Sequence, residues 1–306
     1  MSRKLKILVG KTFGLGNMVM AIPMLKALVA SGDAVVDLLI GTTPDDGGAF
    51  DVAKYLKESG IINYIWFDHT DTDITYDFAI MSIPFDGRWR NEHHFSAQVV
   101  LDGRTRPDPS TTGLVSWKKH EVEYQMENAY ELGYEGPIPD MSFYPVDPVH
   151  LDVGDVYLGV GYKKDANNFW SQKHWGNENF IKLSKAILEE FEGNCILSTG
   201  DILDWKMSIE PIKKAVNHHL FIGDITTLDE AFEMIAACSL YVGNDTGMMH
   251  VAASMGIPCI SVFCIKNSYV KNRPWGVDSN IFDGVLIKDT YSAVLEKTRE
   301  ILDEVG

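Results

Sequence analysis

The chain has few cysteines and comparatively little positive charge. Its four cysteines form no Cys-x-x-Cys pair, show no regular spacing with histidine, and lie in or beside apolar segments. We therefore expect reduced core thiols in a cytoplasmic protein, and neither a disulfide framework nor a zinc site. Only 27 Lys and Arg accompany 43 Asp and Glu, so the formal net charge is −16. This composition lacks the basic footprint that broad nucleic-acid binding requires.

Long apolar runs are absent as well. No hydrophobic stretch approaches the ~20 residues that span a bilayer, so no membrane span is expected. The N-terminus enters a strand pattern directly, without the cleavage pattern of a signal peptide. A length of 306 residues is sufficient for two domains, and 45% hydrophobic content is typical of globular proteins. We predict a cytoplasmic protein, with a peripheral position at the inner face of the membrane as the alternative.

Strand and helix patterns alternate in both halves of the chain. In the first half, apolar strands at residues 6–9 and 35–40 flank a helical pattern, and in the second half the alternation restarts at residues 156–160. Such alternation predicts parallel sheets covered on both faces. The proline-rich segment 137–148 is the candidate linker. The predicted fold class is α/β, with two Rossmann-like doubly wound domains at residues 1–148 and 149–306.

One stretch, residues 241–263, organises the second half and reads as strand, tight turn, helix and strand. Asp245 or Thr246 is predicted to cap the helix by accepting bonds from its first N–H groups. Gly247 allows close approach of a ligand or another backbone. The remaining N–H groups and the helix dipole form an anion site. The alternative is a well-capped helix of any α/β domain, with His250 an ordinary helix residue.

A glycine-rich turn follows the first strand. Residues 10–16 contain three glycines and Lys11, and Asn17 is predicted to cap the next helix. Pro23 falls about a turn and a half into that helix, where it removes a hydrogen bond or imposes a kink. A local conflict of this kind is more typical of a functional site than of plain scaffold.

Residues 84–112 show little periodicity. They contain Asp86, His93 and His94 among arginine, glycine and proline residues. A segment of this length without regular structure is more often functional than part of the scaffold. A solvated loop over the first domain is the alternative.

Three motifs in these segments resemble those of one family. Asp245-Thr-Gly-x-x-His250, followed by Gly256-x-Pro258, resembles the C-terminal motif of the heptosyltransferase family, glycosyltransferase family 9. Gly14-Leu-Gly16-Asn17 with Pro23 is similar to the Gly-rich turn of that family. Lys173-His174-Trp175 resembles the segment that carries the phosphate-binding lysine of the family. The motifs occur in the order expected for the family.

The resemblance implies the GT-B fold, in which two domains face each other across a cleft. The N-terminal domain would hold the acceptor, the C-terminal domain would hold the nucleotide sugar, and the last helix would cross back to the first domain. The implied activity is metal-independent, inverting transfer of a sugar from a nucleotide-diphosphate donor to a hydroxyl acceptor. Lipopolysaccharide core is the usual acceptor of the family. No cofactor is implied, and we expect no metal because the carboxylates do not cluster at ligand spacing.

The resemblance also assigns roles to residues. Lys173 would bind the donor phosphates, Asp245 would contact the sugar hydroxyls, and His250 would orient the turn. Asn17 occupies the position of the aspartate base in the family, and an amide cannot accept the acceptor proton. We therefore predict Asp86, His93 or His94 as the substitute base. The predicted donor-binding residues are Lys173, Asp245, Thr246, Gly247, His250, Lys11, Gly14 and Gly16.

Two other functions stay open at this point. A non-catalytic protein that binds sugar nucleotides or glycans is suggested by the missing aspartate at Asn17. A dinucleotide-dependent enzyme is the weaker alternative, because Gly14-Leu-Gly16 lacks the third glycine of that fingerprint. The acceptor could also be another glycan, a protein or a modified nucleobase. The sequence identifies neither the sugar nor the base of the donor.

Overall fold

The computed structural model describes residues 3–11, 14–40, 48–67, 74–81, 96–102, 117–145, 155–161, 173–191, 193–284 and 289–305. The chain divides into two compact units, Met1–Phe143 (unit 1) and Tyr144–Gly306 (unit 2). The predicted boundary after residue 148, the predicted roles of the domains and the crossing of the last helix stay predictions.

Unit 1 is built on a parallel sheet of five strands, in the order β3-β2-β1-β4-β5. The strand order reverses between β1 and β4, where Gly10 pairs with Met81. In open α/β sheets, ligands bind outside the carboxyl ends of strands at such a reversal. The strands are β1 Leu5–Lys11, β2 Ala34–Ile40, β3 Tyr64–Phe67, β4 Thr75–Met81 and β5 Ser96–Asp102.

The described helices of unit 1 are α1 Leu15–Val29, α2 Ala49–Glu58 and α3 Glu121–Glu131. Helix α1 packs against both α3 and α2, and 11 of its 15 residues are buried. Pro23 lies inside α1 without interrupting it. Asn17 is the third residue of α1 and does not cap it, so the predicted cap is wrong. Gly14, with φ 106°, occupies the N-cap and sets the start of the helix at Leu15.

Unit 2 contains a parallel sheet of six strands, in the order β11-β10-β9-β6-β7-β8. Its strand order reverses between β6 and β9, where Gly159 pairs with Gly243. The first three strands are β6 Val156–Gly159, β7 Cys195–Thr199 and β8 Phe221–Ile225. The others are β9 Leu240–Asn244, β10 Cys259–Phe263 and β11 Ser279–Asp283.

Helices cover this second sheet. The longest are α4 Asn177–Glu190 and α10 Thr290–Val305. Helix α10 packs on β10, β11 and α4, and it contributes Val294 and Leu302 to the core of unit 2. The shorter helices are α5 Ile202–Asp204, α6 Glu210–Val216, α7 Leu228–Ala236, α8 Gly247–Ser254 and α9 Ser268–Asn272.

The sequence pattern predicts a helix over residues 204–216, and the structure interrupts it. Within this range, Trp205–Ile209 form a π-helical turn that separates the short helix α5 from α6. Pro211 has no N–H to offer the carbonyl of Met207 four residues earlier. That carbonyl accepts a bond of 3.0 Å from Asn177 Nδ2 instead. A proline inside the pattern was therefore a sign that a continuous helix would not form.

The cysteines are core residues, as predicted. All four are free thiols, and only Cys264 is partly accessible. Burial raises the pKa of Cys195 to about 12 and the pKa of Cys264 to about 11. Among the described residues, no helix combines the length and the apolar character needed to cross a membrane.

Candidate active site

The candidate site lies at the carboxyl edge of the unit 2 sheet, where β9 leads into α8. Thr246 occupies the N-cap of α8 in an extended conformation, with φ −133° and ψ 168°, but no side chain caps the helix. The predicted capping by Asp245 or Thr246 is therefore wrong. The Thr246 hydroxyl shares a 3.2 Å hydrogen bond with the Tyr241 hydroxyl, and the Asp245 carboxylate contacts a lysine. The start of α8 therefore has the free N–H groups of an uncapped helix, the kind of position at which anions bind.

The lysine that contacts Asp245 is Lys173. Its Nζ lies 2.6 Å from Asp245 Oδ2, and the two side chains are 15% and 5% exposed. The same ammonium lies 3.4 Å from the Asp245 backbone carbonyl, and Asn272 Nδ2 lies 3.4 Å from Asp245 Oδ2. The structure thus brings together two predicted donor-binding residues that are 72 positions apart in the chain.

A buried amide holds the segment of Lys173 in place. Asn244, at the end of β9, accepts a 3.0 Å bond from Trp175 N and donates a 3.2 Å bond to the Val160 carbonyl. It therefore links the end of β6, the end of β9 and the segment before α4, across the reversal in strand order. The sequence analysis missed Asn244. A polar residue that ends an otherwise apolar strand was the available signal.

Trp175 is a packing residue. It is 7% exposed, and its ring meets that of Phe180 edge-on, with centroids 5.2 Å apart. Its indole Nε1 donates a 2.9 Å bond to Thr290 Oγ1, at the start of α10. These contacts fix the position of the residue two places after Lys173. We therefore assign the indole to the core of unit 2 and not to base stacking.

Tyr241 fills the space between two glycines. Its ring is fully buried, and a Cβ added to Gly159 would overlap its hydroxyl and ring, while one added to Gly243 would lie 2.8 Å from the hydroxyl. Burial raises the pKa of Tyr241 well above its usual range, so the hydroxyl stays protonated. Both glycines are needed for the phenol to reach Thr246. The sequence analysis did not identify this arrangement.

Two histidines lie near these residues. His250 is in α8 and is 3% exposed, and its predicted role in orienting the turn stays a prediction. His174 Nδ1 accepts a 2.9 Å bond from Gly176 N, and burial lowers the pKa of the His174 imidazole. The ring is therefore neutral at pH 7. A cavity of about 450 Å³ opens at the start of α4, lined by residues 174–179, Met207 and Ser208.

The predicted residues of unit 1 are only partly described. Gly14 and Gly16 lie at the start of α1, and Asn17 Nδ2 would lie 3.9 Å from a Cβ on Gly14. Lys11 ends β1, but its side chain lies outside the described residues, as do Asp86, His93 and His94. The Gly14–Asn17 turn follows β1 at the reversal in strand order, where a ligand is expected.

No group of three or more His, Cys, Asp or Glu in the described part of the chain is arranged to hold a metal ion. One Asp-x-Asp triplet, Asp71-Thr72-Asp73, occurs in the sequence, so the premise that no carboxylates cluster at ligand spacing is wrong at this position. It lies outside the described ranges.

Two parallel sheets with a reversal in strand order define a two-unit Rossmann-like protein, with a candidate anion site at the uncapped start of α8 beside Lys173. The profile described as glycosyltransferase family 9 (heptosyltransferase) matches residues 160–293. Residues 160–293 of unit 2 therefore match a glycosyltransferase family 9 domain, which confirms the resemblance predicted from the motifs at Lys173 and Asp245. The Gly14–Asn17 motif lies outside this match.

Known proteins similar to this chain include heptosyltransferases. Over 100 residues the chain is 31% identical to lipopolysaccharide heptosyltransferase 2 of Escherichia coli K12, a match covering 31% of this chain and 28% of that protein. The structure of E. coli ADP-heptose lps heptosyltransferase II aligns with a TM-score of 0.69 at 19% identity, covering 98% of this chain and 99% of that one. The predicted fold class is therefore confirmed.

A second solved structure is also similar in fold. It is the iron-containing dodecameric glycosyltransferase TibC of enterotoxigenic E. coli H10407. The TM-score is 0.53 at 11% identity, covering 99% of this chain and 80% of that one.

Proposed function

We propose that the chain is a glycosyltransferase that transfers a sugar from a nucleotide-diphosphate donor to a hydroxyl acceptor. The observation that carries this proposal is the Lys173–Asp245 pair at the uncapped start of α8. An ammonium and free N–H groups suit a diphosphate, and a carboxylate suits the hydroxyl donors of a sugar. We propose an ADP-sugar as the donor, because one similar structure is that of an ADP-heptose enzyme.

The proposed reaction is a direct displacement. The acceptor oxygen attacks the anomeric carbon of the sugar as the bond to the diphosphate oxygen breaks, so the configuration inverts. The departing diphosphate takes the electron pair of that bond, and the acceptor proton passes to a base. Lys173 and the N–H groups of α8 would stabilise the charge that develops on the diphosphate. We propose that no metal ion is required.

The residue that accepts the proton of the acceptor hydroxyl has to be assigned separately. Asn17 lies in the first turn of α1, and its amide can orient a hydroxyl but cannot take its proton. We propose Asp86, His93 or His94 for that role, and Lys11, Gly14 and Gly16 for the glycine-rich turn beside the donor.

Asn17 also favours a second function. A chain that has lost its base could bind a sugar nucleotide or a glycan without transferring the sugar. Incubation with ADP-heptose separates the two functions, because a transferase releases ADP by transfer or by slow hydrolysis. Intact donor after prolonged incubation, with measurable binding, would favour the non-catalytic protein.

We propose a glycan acceptor, with lipopolysaccharide core first, at the inner face of the membrane. The basis is the similar E. coli protein, which is named as a lipopolysaccharide heptosyltransferase. Incorporation of labelled heptose into heptose-deficient lipopolysaccharide would support this acceptor. Transfer to a different glycan or to a protein, with none to lipopolysaccharide, would contradict it.

The first test concerns Lys173. We expect Lys173→Ala to weaken ADP binding by about 1–3 kcal/mol, the scale of a hydrogen bond to a charged group. Isothermal titration against ADP, GDP and UDP also identifies which nucleobase the site prefers. Lys185→Ala is the matched control, because Lys185 is an exposed residue of α4. Unchanged affinity in folded Lys173→Ala would remove this lysine from the site, and no binding of any diphosphate by the wild type would contradict the proposed function.

The second test concerns metal independence. We expect sugar transfer to continue unchanged in EDTA, because the leaving charge is held by an ammonium and by backbone N–H groups. The measurement is ADP release before and after dialysis against EDTA. Loss of turnover that returns with magnesium, manganese or iron would show a metal requirement, and would direct attention to Asp71 and Asp73.

A further inference from the structure

The Lys173–Asp245 contact places a carboxylate where a diphosphate has to bind. The ammonium that would bind the phosphates lies 2.6 Å from Asp245 Oδ2, and both side chains are largely shielded from water. The pair has no net charge, so its attraction for an anion is small. A phosphate that approaches Lys173 also approaches the carboxylate, and like charges brought together at a binding site are costly.

A sugar next to the diphosphate changes this balance. An ionised carboxylate only accepts hydrogen bonds, and so do the oxygens of a diphosphate, whereas sugar hydroxyls can donate. Hydroxyls of an intact donor would therefore satisfy Asp245 while Lys173 turns to the phosphates. A bare nucleoside diphosphate offers no donor on that side, so the buried carboxylate exchanges an ammonium at 2.6 Å for the longer 3.4 Å contact with Asn272 Nδ2.

We propose that Asp245 makes the site discriminate between an intact nucleotide sugar and the nucleoside diphosphate that remains after transfer. This inference rests on the proposed function. Before transfer, the sugar hydroxyls replace Lys173 as partners of Asp245. After transfer the sugar is gone, Asp245 regains Lys173, and the diphosphate loses its cation. Asp245 thus selects the substrate and promotes release of the product.

The test compares the affinities for ADP and ADP-heptose. Asp245→Asn removes the charge but keeps the size of the side chain and its ability to accept a bond. We expect it to bind ADP about tenfold more tightly than the wild type, within the range of coupling between charged neighbours. We expect no such gain for ADP-heptose, so the preference for the sugar nucleotide should fall. Isothermal titration gives both dissociation constants, and stopped-flow mixing should show slower ADP release.

A matched control separates this effect from a general loss of negative charge. Asp278→Asn changes the net charge equally, and Asp278 is an exposed residue just before β11, at the amino end of that strand. We expect its ADP affinity to equal that of the wild type. In Lys173→Met, adding Asp245→Asn should give a smaller gain than in the wild type, because the competition for the ammonium is gone.

The outcomes are distinct. ADP binding by Asp245→Asn that is no tighter than that of the wild type, or no tighter than that of Asp278→Asn, would overturn the inference and leave the proposed function standing. Should Asp245→Asn fail to fold, Asp245→Ser serves as the second variant. In the wild type itself, equal affinities for ADP and ADP-heptose would also overturn the inference.

Discussion

Loss of the catalytic base is expected to lower the rate of sugar transfer by about 10²–10⁴-fold. We expect this loss in Asp86→Asn, His93→Gln or His94→Gln, and we expect Asn17→Asp to bring no gain. The reason lies in unit 1, where Met81 at the end of β4 pairs with Gly10 of β1. Asp86 follows Met81 by only five residues, a span of at most about 18 Å.

The measurement is the transfer rate against pH for the wild type and the four variants. A carboxylate base would lose activity only in acid, near an ordinary pKa of about 4, whereas a histidine would lose it near about 6.5. The position of the acid limb therefore distinguishes Asp86 from the two histidines. Full activity in the Asp86, His93 and His94 variants, together with a large gain in Asn17→Asp, would show that the chain had simply lost its base.

Gly159→Ala is expected to destabilise the protein by about 1–3 kcal/mol or more, as overpacked cores do. The added methyl group would overlap the hydroxyl and ring of Tyr241. The ring has little freedom to move away, because it is fully buried and stacks on Tyr157 at a centroid distance of 6.0 Å. The free energy of unfolding in urea measures the effect.

The chain offers a close control. Gly161 lies two residues further on, and a Cβ there would meet nothing within 4 Å, so Gly161→Ala should stay within about 0.5 kcal/mol of the wild type. Combining Gly159→Ala with Tyr241→Val should recover part of the loss, because the smaller side chain removes the overlap. Equal stability of Gly159→Ala and Gly161→Ala would refute the explanation.

Much of the fold could be predicted because its signals are local. Most strands of the two sheets are short apolar runs, and β9, α8 and β10 occur as residues 241–263 indicated. Strand β5 is an exception, because it lies within residues 84–112, where the sequence showed little periodicity and predicted no regular structure. Strand β11 was not predicted either. The turn and the helix after β9 were predicted, but the side-chain cap was not formed. An unpartnered Asp or Thr at that position would cap the helix. The partner of Asp245 lies 72 residues away, a separation that no local pattern reveals.

The site residues that belong to a recognised motif were predicted, and those whose role depends on packing or on contacts between distant segments were missed. Lys173 and Asp245 were identified through the resemblance, and the structure places them in contact. Asn244 was missed because its value lies in joining two other segments. Tyr241 was missed because an aromatic residue in a buried strand is ordinary, and its importance depends on a glycine of the neighbouring strand.

The two glycines around Tyr241 differ in the evolutionary freedom they allow. The three atoms nearest to a Cβ on Gly159 all belong to the phenol of Tyr241, whereas the nearest to a Cβ on Gly243 are backbone atoms of Gly159 at 2.7 Å. We infer that position 159 can accept a side chain in a lineage that has first replaced the tyrosine. Replacing the tyrosine does not relieve the overlap at position 243, because the backbone of Gly159 remains there whatever its side chain. The order of mutations therefore matters at one site and is irrelevant at the other.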